Sequence, residues 1–311
     1  MKSTIWLIGA SKISQDYAKA LKALNHPFEI IGRGEKSAAS FKKATGLNVK
    51  LGGLKSNLKK SFPSTAIVAV GVEELFEATE DLINSGTKRI LLEKPGAVNL
   101  KEINKLNSLS SEKNVEILIA YNRRFYNSIY HLKDLVKQDG GILSMNFEFT
   151  EWIHKLKPLE RPKSVREHWL IANSHVIDLA FHICGKPKDW KCWQNGSFEW
   201  HTSSARFCGA GITNKGILFS YLSDWQSAGS WKLELMTAKQ RYILKPLEKL
   251  KAMKLGSALV EEVELKDQID VEFKAGLFLQ TKQFLAKDNT LFCPIAEQVE
   301  NMEIFYKIAG Y

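Results

Sequence analysis

Arg89-Ile90-Leu91-Leu92-Glu93-Lys94-Pro95 is the stretch on which the fold turns. Its apolar run stops abruptly at an acid, a base and a proline. A run of this length bounded by turn signals reads as a strand buried on both faces, the habit of parallel sheets covered by helices. A lysine at the carboxyl end of such a strand has no packing role. Two readings are open for Glu93 and Lys94. They form a strand end facing water, where lysines usually lie, or they address a ligand in the crevice beyond the carboxyl ends of an open α/β sheet.

Outward from that strand the chain alternates. Residues 4–10 (TIWLIGA), 28–33 (FEIIGR) and 65–71 (TAIVAVG) read as further buried strands, with a short one over 49–51. Helices fit residues 14–24, 37–45, 72–84 and 100–113, the third ended by Gly86. Residues 116–122 (EILIAYN) close the series. This βαβ spacing predicts a parallel, doubly wound sheet, a Rossmann-type dinucleotide-binding domain over residues 1–122.

Beyond it the texture changes. After a helix over 127–138, long strand-like segments cover residues 142–152, 189–200, 205–225 and 230–244, broken by turn signals such as Asn195-Gly196 and Asn214-Lys215-Gly216. Seven of the eight tryptophans lie beyond residue 150. Helices fit 172–184, 275–286 and 296–308. A second, α+β domain with a large, mainly antiparallel sheet is predicted for residues 123–311, as the substrate-binding part and the surface for homo-oligomers.

Hydrophobic content of 44% and charged content of 25% are ordinary for a globular chain with a sizeable core. The apolar run at the start reads as too short for a signal peptide, and no apolar run is expected to span a bilayer. The four cysteines form no CxxC pair and read as reduced thiols of a cytoplasmic protein. The net charge of +10 comes from scattered lysines without a nucleic-acid motif, so no nucleic-acid partner is expected.

The first strand-to-helix turn, Gly9-Ala10-Ser11-Lys12-Ile13-Ser14, stands where a dinucleotide fingerprint belongs. Only the first glycine is kept; Ser11 and Ser14 replace the others. Small residues still let a pyrophosphate approach the helix N-terminus. The second strand ends Gly32-Arg33-Gly34-Glu35, with no acid at the position that would bond a ribose hydroxyl. Arg33 suits a 2′-phosphate, which favours NADP, while nearby Glu35 keeps NAD open.

Three motifs in order carry a resemblance: LLEKP ending at Pro95, Tyr121-Asn122-Arg123-Arg124-Phe125, and Ser174-His175-Val176-Ile177-Asp178. Together they resemble the glucose–fructose oxidoreductase/inositol dehydrogenase (Gfo/Idh/MocA) family over nearly the whole chain. Some features look closest to members acting in surface-polysaccharide or sugar biosynthesis. The resemblance implies that Lys94 lies beside nicotinamide and substrate oxygen, often before a cis proline, and that His175 is its acid/base partner. It extends the cofactor contacts to Val70, Gly71, Glu93 and Asn122. Substrate contacts are expected from Arg123, Trp152, Arg166, Trp169, Asn173 and His175.

Two alternatives stay open here. Asn122 and Arg123 could serve structural contacts instead, and His175, Asp178 and His182 share a helical face at metal-ligand spacing, although no metal is expected. The family commonly has an aspartate four residues before this histidine, where this chain has Ile171. The implied activity is NAD(P)-dependent hydride transfer to or from a secondary alcohol or ketone of a sugar, sugar derivative or nucleotide sugar. The alternative is a catalytically silent dinucleotide-binding sensor or scaffold.

Overall fold

The apolar run before Lys94 is a strand covered on both faces, with Ile90, Leu91 and Leu92 fully buried. In the computed structural model, which describes residues 4–311, it is one of five parallel strands. These are Ile5–Ile8 (β1), Phe28–Ile31 (β2), Thr65–Val68 (β3), Arg89–Glu93 (β4) and Glu116–Ala120 (β5). Their order is β5-β4-β3-β1-β2, with Cys293–Pro294 antiparallel beside β5. The sheet is doubly wound, and its winding reverses between β1 and β3, the place where such sheets bind ligands. Each aliphatic side chain buried in β4 contributes about 1.5–3 kcal/mol.

The local stops and starts follow the sequence. Ser11 caps the helix Lys12–Ala23 by accepting the Ser14 N–H, and the Ser14 hydroxyl accepts the Ser11 N–H in return. Asn99 caps Leu100–Lys113 through the Glu102 N–H at 2.9 Å. Gly86 ends Leu75–Ser85 in the left-handed conformation, but the helix expected over 72–84 opens with a 3-10 turn, Val72–Glu74. The short strand expected at 49–51 is a single bridge from Ile31 to Lys50. Gly52 and Gly53, both at positive φ, turn the chain away after that one pairing. β5 stops at Ala120, so Asn122–Phe125 form a 3-10 turn instead of extending the strand.

This unit comprises the residues up to Asn122 together with Val271–Glu300. A second unit, Arg123–Asp270 with Asn301–Tyr311, is built on an eight-stranded sheet. Its strands are Ser144–Phe149 (β6), Pro187–Asn195 (β7), Arg206–Thr213 (β8), Leu218–Asp224 (β9), Trp231–Met236 (β10), Gln240–Leu244 (β11), Lys251–Lys254 (β12) and Val260–Glu262 (β13). The order is β13-β12-β11-β10-β6-β9-β8-β7, and only the β6–β9 pair is parallel.

Met145, Phe147 and Phe149 alternate onto the buried face of β6, where Phe181 of the helix His175–Cys184 meets Phe147 edge-on at 5.6 Å. On the other face Trp193, Leu218 and Leu222 stay more than half exposed. β12 and β13 escape a reading based on apolar alternation, because charges pair them: Lys251 with Glu262 at 3.6 Å and Lys254 with Glu261 at 3.5 Å. No helix among the described residues is long and apolar enough to cross a membrane.

Candidate active site

Gly9 follows β1 at φ +115°, and a Cβ there would stand 2.3 Å from the Ala69 carbonyl oxygen, so only glycine fits. The hydroxyls of Ser11 and Ser14 both reach that same oxygen at 3.2 Å. The serines standing in for glycines therefore brace the turn against the end of β3. A cleft of about 480 Å³ opens beyond it. Of the expected cofactor contacts, Gly9, Ala10, Ser11, Gly32, Arg33, Val70 and Gly71 form its walls; Lys12, Ile13, Glu93, Lys94 and Asn122 lie outside them.

The shape and chemistry of this cleft fit a dinucleotide. Small residues lead into the N-terminus of a twelve-residue helix, the arrangement that receives phosphates. Arg33, at the far wall, pairs with Glu74 at 2.8 Å and keeps 81% of its side chain exposed. Sequence reasoning missed Lys55, which arrives on the short helix Gly53–Leu58, pairs with Glu77 and lies 3.8 Å from Asp81. Partial burial lifts the Asp81 carboxyl above its ordinary range, against the pull of Lys55.

Lys94 leaves the carboxyl end of β4 at the same edge of the sheet, with both neighbours held. The Tyr17 hydroxyl donates to Glu93 Oε1 at 2.7 Å and lies 3.2 Å from Gln280 Oε1. Burial, then the Glu93 charge, pushes that phenol well above its ordinary range. On the other side, the Gln298 amide donates to the Pro95 carbonyl at 2.9 Å and lies 3.0 Å from the Tyr121 hydroxyl. The Lys94–Pro95 peptide is cis. The Asn122 amide donates to the Ala275 carbonyl at 2.9 Å, beside the left-handed Gly276 that opens Leu277–Ala286.

In the second unit, His175 opens its helix at 5% exposure, with Arg123 Nη1 2.8 Å from its Nε2. A guanidinium has donors and no acceptor, so in this contact the imidazole Nε2 is the acceptor. The arginine is also boxed by aromatics, 5.3 Å from the Trp231 ring and 6.0 Å from Tyr126. Arg124 forms a two-pronged pair with Asp178, at 2.9 and 2.5 Å, both side chains 1% exposed. Asn301 adds a donor to Asp178 at 3.3 Å.

One turn further along, His182 lies 3.3 Å from Lys133 Nζ. Burial, then the Arg124 charge, pushes His182 down to about 2, and burial pushes Lys133 down to about 8. The three residues at metal-ligand spacing thus each face a different cationic side chain: His175 faces Arg123, Asp178 faces Arg124 and His182 faces Lys133. Ile171 is fully buried.

A second cleft, also about 480 Å³, is lined by residues from the end of β6, the start of β10 and the segment after β11. Trp152 is the one expected substrate contact on its walls; Trp231, Glu151, Lys155, Lys245 and Glu248 are additions. Trp231 donates its indole N–H to Glu151 at 3.1 Å, and its ring stands 5.9 Å from His175. The cleft therefore borders the Arg123–His175 pair through one aromatic wall. Trp169 is 3% exposed and packs edge-on against Trp200, Asn173 bonds back to the Trp169 carbonyl at 3.0 Å, and Arg166 is half-buried; none of the three lines the cleft.

Residues 4–121 match a family model described as an oxidoreductase family with an NAD-binding Rossmann fold. No curated protein matches the sequence. Among solved structures, the UDP-N-acetylglucosamine 3-dehydrogenase of Acidithiobacillus ferrooxidans superposes with a TM-score of 0.76 at 14% identity, over 100% of this chain and 97% of that one. Levoglucosan dehydrogenase, solved with NADH and levoglucosan, gives 0.78 at 14% identity over 100% and 97%. An oxidoreductase of Desulfitobacterium hafniense assigned as NADPH-dependent gives 0.81 at 13% identity over 99% and 95%. At these identities the likeness is one of fold across both units. Over residues 4–121, the Rossmann part of the chain, the sequence is similar to the Gfo/Idh/MocA oxidoreductases, whose model carries the NAD-binding fold.

Proposed function

We propose that this protein is an NAD(P)-dependent dehydrogenase or reductase that moves a hydride to or from a secondary alcohol or ketone of a sugar, sugar derivative or nucleotide sugar. The observation that carries this reading is the carboxyl edge of the first sheet. There a glycine turn opens a dinucleotide-sized cleft, and two strands away a lysine stands between two pinned neighbours. Residues 1–122 bind the cofactor and residues 123–311 bind substrate. The sugar dehydrogenases sharing the fold point to a carbohydrate. Arg33 favours NADP once it exchanges Glu74 for a 2′-phosphate, and the NADH held by levoglucosan dehydrogenase keeps NAD in play.

The nicotinamide supplies the hydride acceptor or donor. Lys94 stabilises the negative charge that develops on the substrate oxygen. His175 exchanges the proton. Its Nε2 accepts from Arg123 in this structure and takes the proton of an alcohol once that guanidinium N–H turns to the substrate. The free thiols suit a reducing cytoplasm, and the exposed sheet face with Trp193, Leu218 and Leu222 suits a second copy of the chain.

Titration with NADPH and NADH, followed by nicotinamide fluorescence, is the first test, and turnover on a panel of keto-sugars and nucleotide sugars the second. Binding of either nucleotide with turnover that Lys94→Met abolishes is the expected result. Failure to bind either nucleotide refutes the reading. Binding with no turnover on any sugar turns it into a silent binder, and turnover unchanged in Lys94→Met removes the lysine from the mechanism.

A further inference from the structure

We propose that the Trp152–Trp231 cleft receives an anionic substituent of the sugar substrate, a carboxylate or a phosphate, and that Lys155 and Lys245 bind it. This rests on the sugar-dehydrogenase reading and narrows it to acidic sugars. The cleft's volume of about 480 Å³ lies in the range that encloses small ligands. Both indoles on its walls are fixed by their N–H groups: Trp231 by Glu151 at 3.1 Å and Trp152 by the Gly229 carbonyl at 2.7 Å. Trp152 is held in place while 48% exposed, an arrangement that spends ordering entropy before a ligand arrives. Fixed aromatic faces with polar neighbours suit the apolar face of a pyranose.

The charges decide what such a ring carries. Glu151 is buried and turned to Trp231, and Glu248 accepts the Tyr126 hydroxyl at 3.2 Å. Both acids on the walls therefore already accept a hydrogen bond from the protein, Glu151 while buried and Glu248 while exposed. The lysines do not pair with acids: Lys155 Nζ lies over the Trp152 ring at 4.2 Å, and Lys245 is an exposed side chain on the opposite segment. Two ammonium groups at the rim of an apolar cleft are neutralised by an incoming anion, and the apolar wall strengthens that attraction. Arg123 lies on the far side of Trp231, against His175. It leaves the histidine for the substrate hydroxyl while the anion stays with the lysines.

Calorimetry on the NADH-loaded protein tests this with N-acetylglucosamine, glucuronate, N-acetylglucosamine 1-phosphate and uridine diphosphate. At least one anionic probe binds about tenfold tighter than the neutral sugar, its affinity falls with salt, and the stronger of the carboxylate and phosphate arms names the anion. Lys155→Met/Lys245→Met removes that preference without changing the neutral sugar's affinity. Trp152→Ala weakens all the sugars that bind. Equal affinity for neutral and anionic probes, no binding of any anionic probe, or lysine substitutions that weaken both classes alike overturns the proposal. A protein that binds the anionic sugars but neither nicotinamide nucleotide keeps this site and loses the dehydrogenase reading.

Discussion

Replacing Arg124 by methionine tests how the His175 environment is held. The substitution keeps the length of the side chain and removes the charge from a pair in which both partners are 1% exposed. Asp178 then keeps the Asn301 donor at 3.3 Å and loses two guanidinium bonds at 2.9 and 2.5 Å. An uncompensated carboxylate in such a place costs about 3–5 kcal/mol. For a domain of this size that corresponds to about 10 °C in melting temperature, at about 2–4 °C per kcal/mol. Tryptophan fluorescence reports the right unit, because seven of the eight tryptophans lie in it. The double substitution Arg124→Met/Asp178→Leu removes both charges and should recover most of the loss, since a buried pair replaced by apolar side chains is close to neutral. A loss below about 1 kcal/mol for the single variant, or additive losses in the double, refutes the assignment of the pair as the anchor of this turn.

Three further outcomes are expected. Gly9→Ala forces a Cβ against the Ala69 oxygen; it lowers stability by about 1–3 kcal/mol and weakens nicotinamide binding, and unchanged fluorescence titrations would contradict the geometry of the turn. Tyr17→Phe withdraws the 2.7 Å donor from Glu93, worth about 1.5–3 kcal/mol as a bond to a charge; kcat falls while the KM for the nucleotide holds, and an intact kcat separates Glu93 from the positioning of Lys94. His182 sits in the folded chain at about 2, below its ordinary value. The unfolded chain alone takes up this proton below about pH 6.5, so this contribution to stability declines as pH falls from there toward 2, by at most about 1.4 kcal/mol per unit. His182→Gln should flatten denaturation curves over that window, and an unaltered pH dependence would assign the acid sensitivity elsewhere.

The first sheet was legible because each of its strands carries its own signal: an apolar run, then a turn residue. Lys94 stood out for the same reason, since a lysine closing LLE has nothing to pack against. The second cleft was not legible, because its walls come from distant segments. Trp231 and Glu151 are 80 residues apart and meet only through the antiparallel register that sets Trp231 opposite Phe149. Nothing local in the sequence encodes which non-consecutive strands pair. Within the strand the signal did exist: Trp231 alternates in phase with the buried Leu233 and Leu235, which placed it on the inward face. Trp169 illustrates the converse. Its neighbourhood of histidines and arginines suggested a ligand, whereas its ring is in contact with Trp200 at 3% exposure.

The exchange of an aspartate for Ile171 bears on whether the protein is an enzyme or a silent binder. Loss of that carboxylate removes one way of orienting His175, and a silent binder would be free to lose the rest. Yet the histidine's surroundings remain polar: His175 at 5%, Arg124 at 1% and Asp178 at 2% exposure, with Arg123 against the ring. Buried charges of this kind are a weak source of stability, and apolar residues of similar size would serve the fold as well or better. A scaffold gains nothing from retaining them. A proton-exchanging site would, because Arg123 sets which nitrogen of His175 accepts. Here that contact is made on the Nε2 side, by a cation.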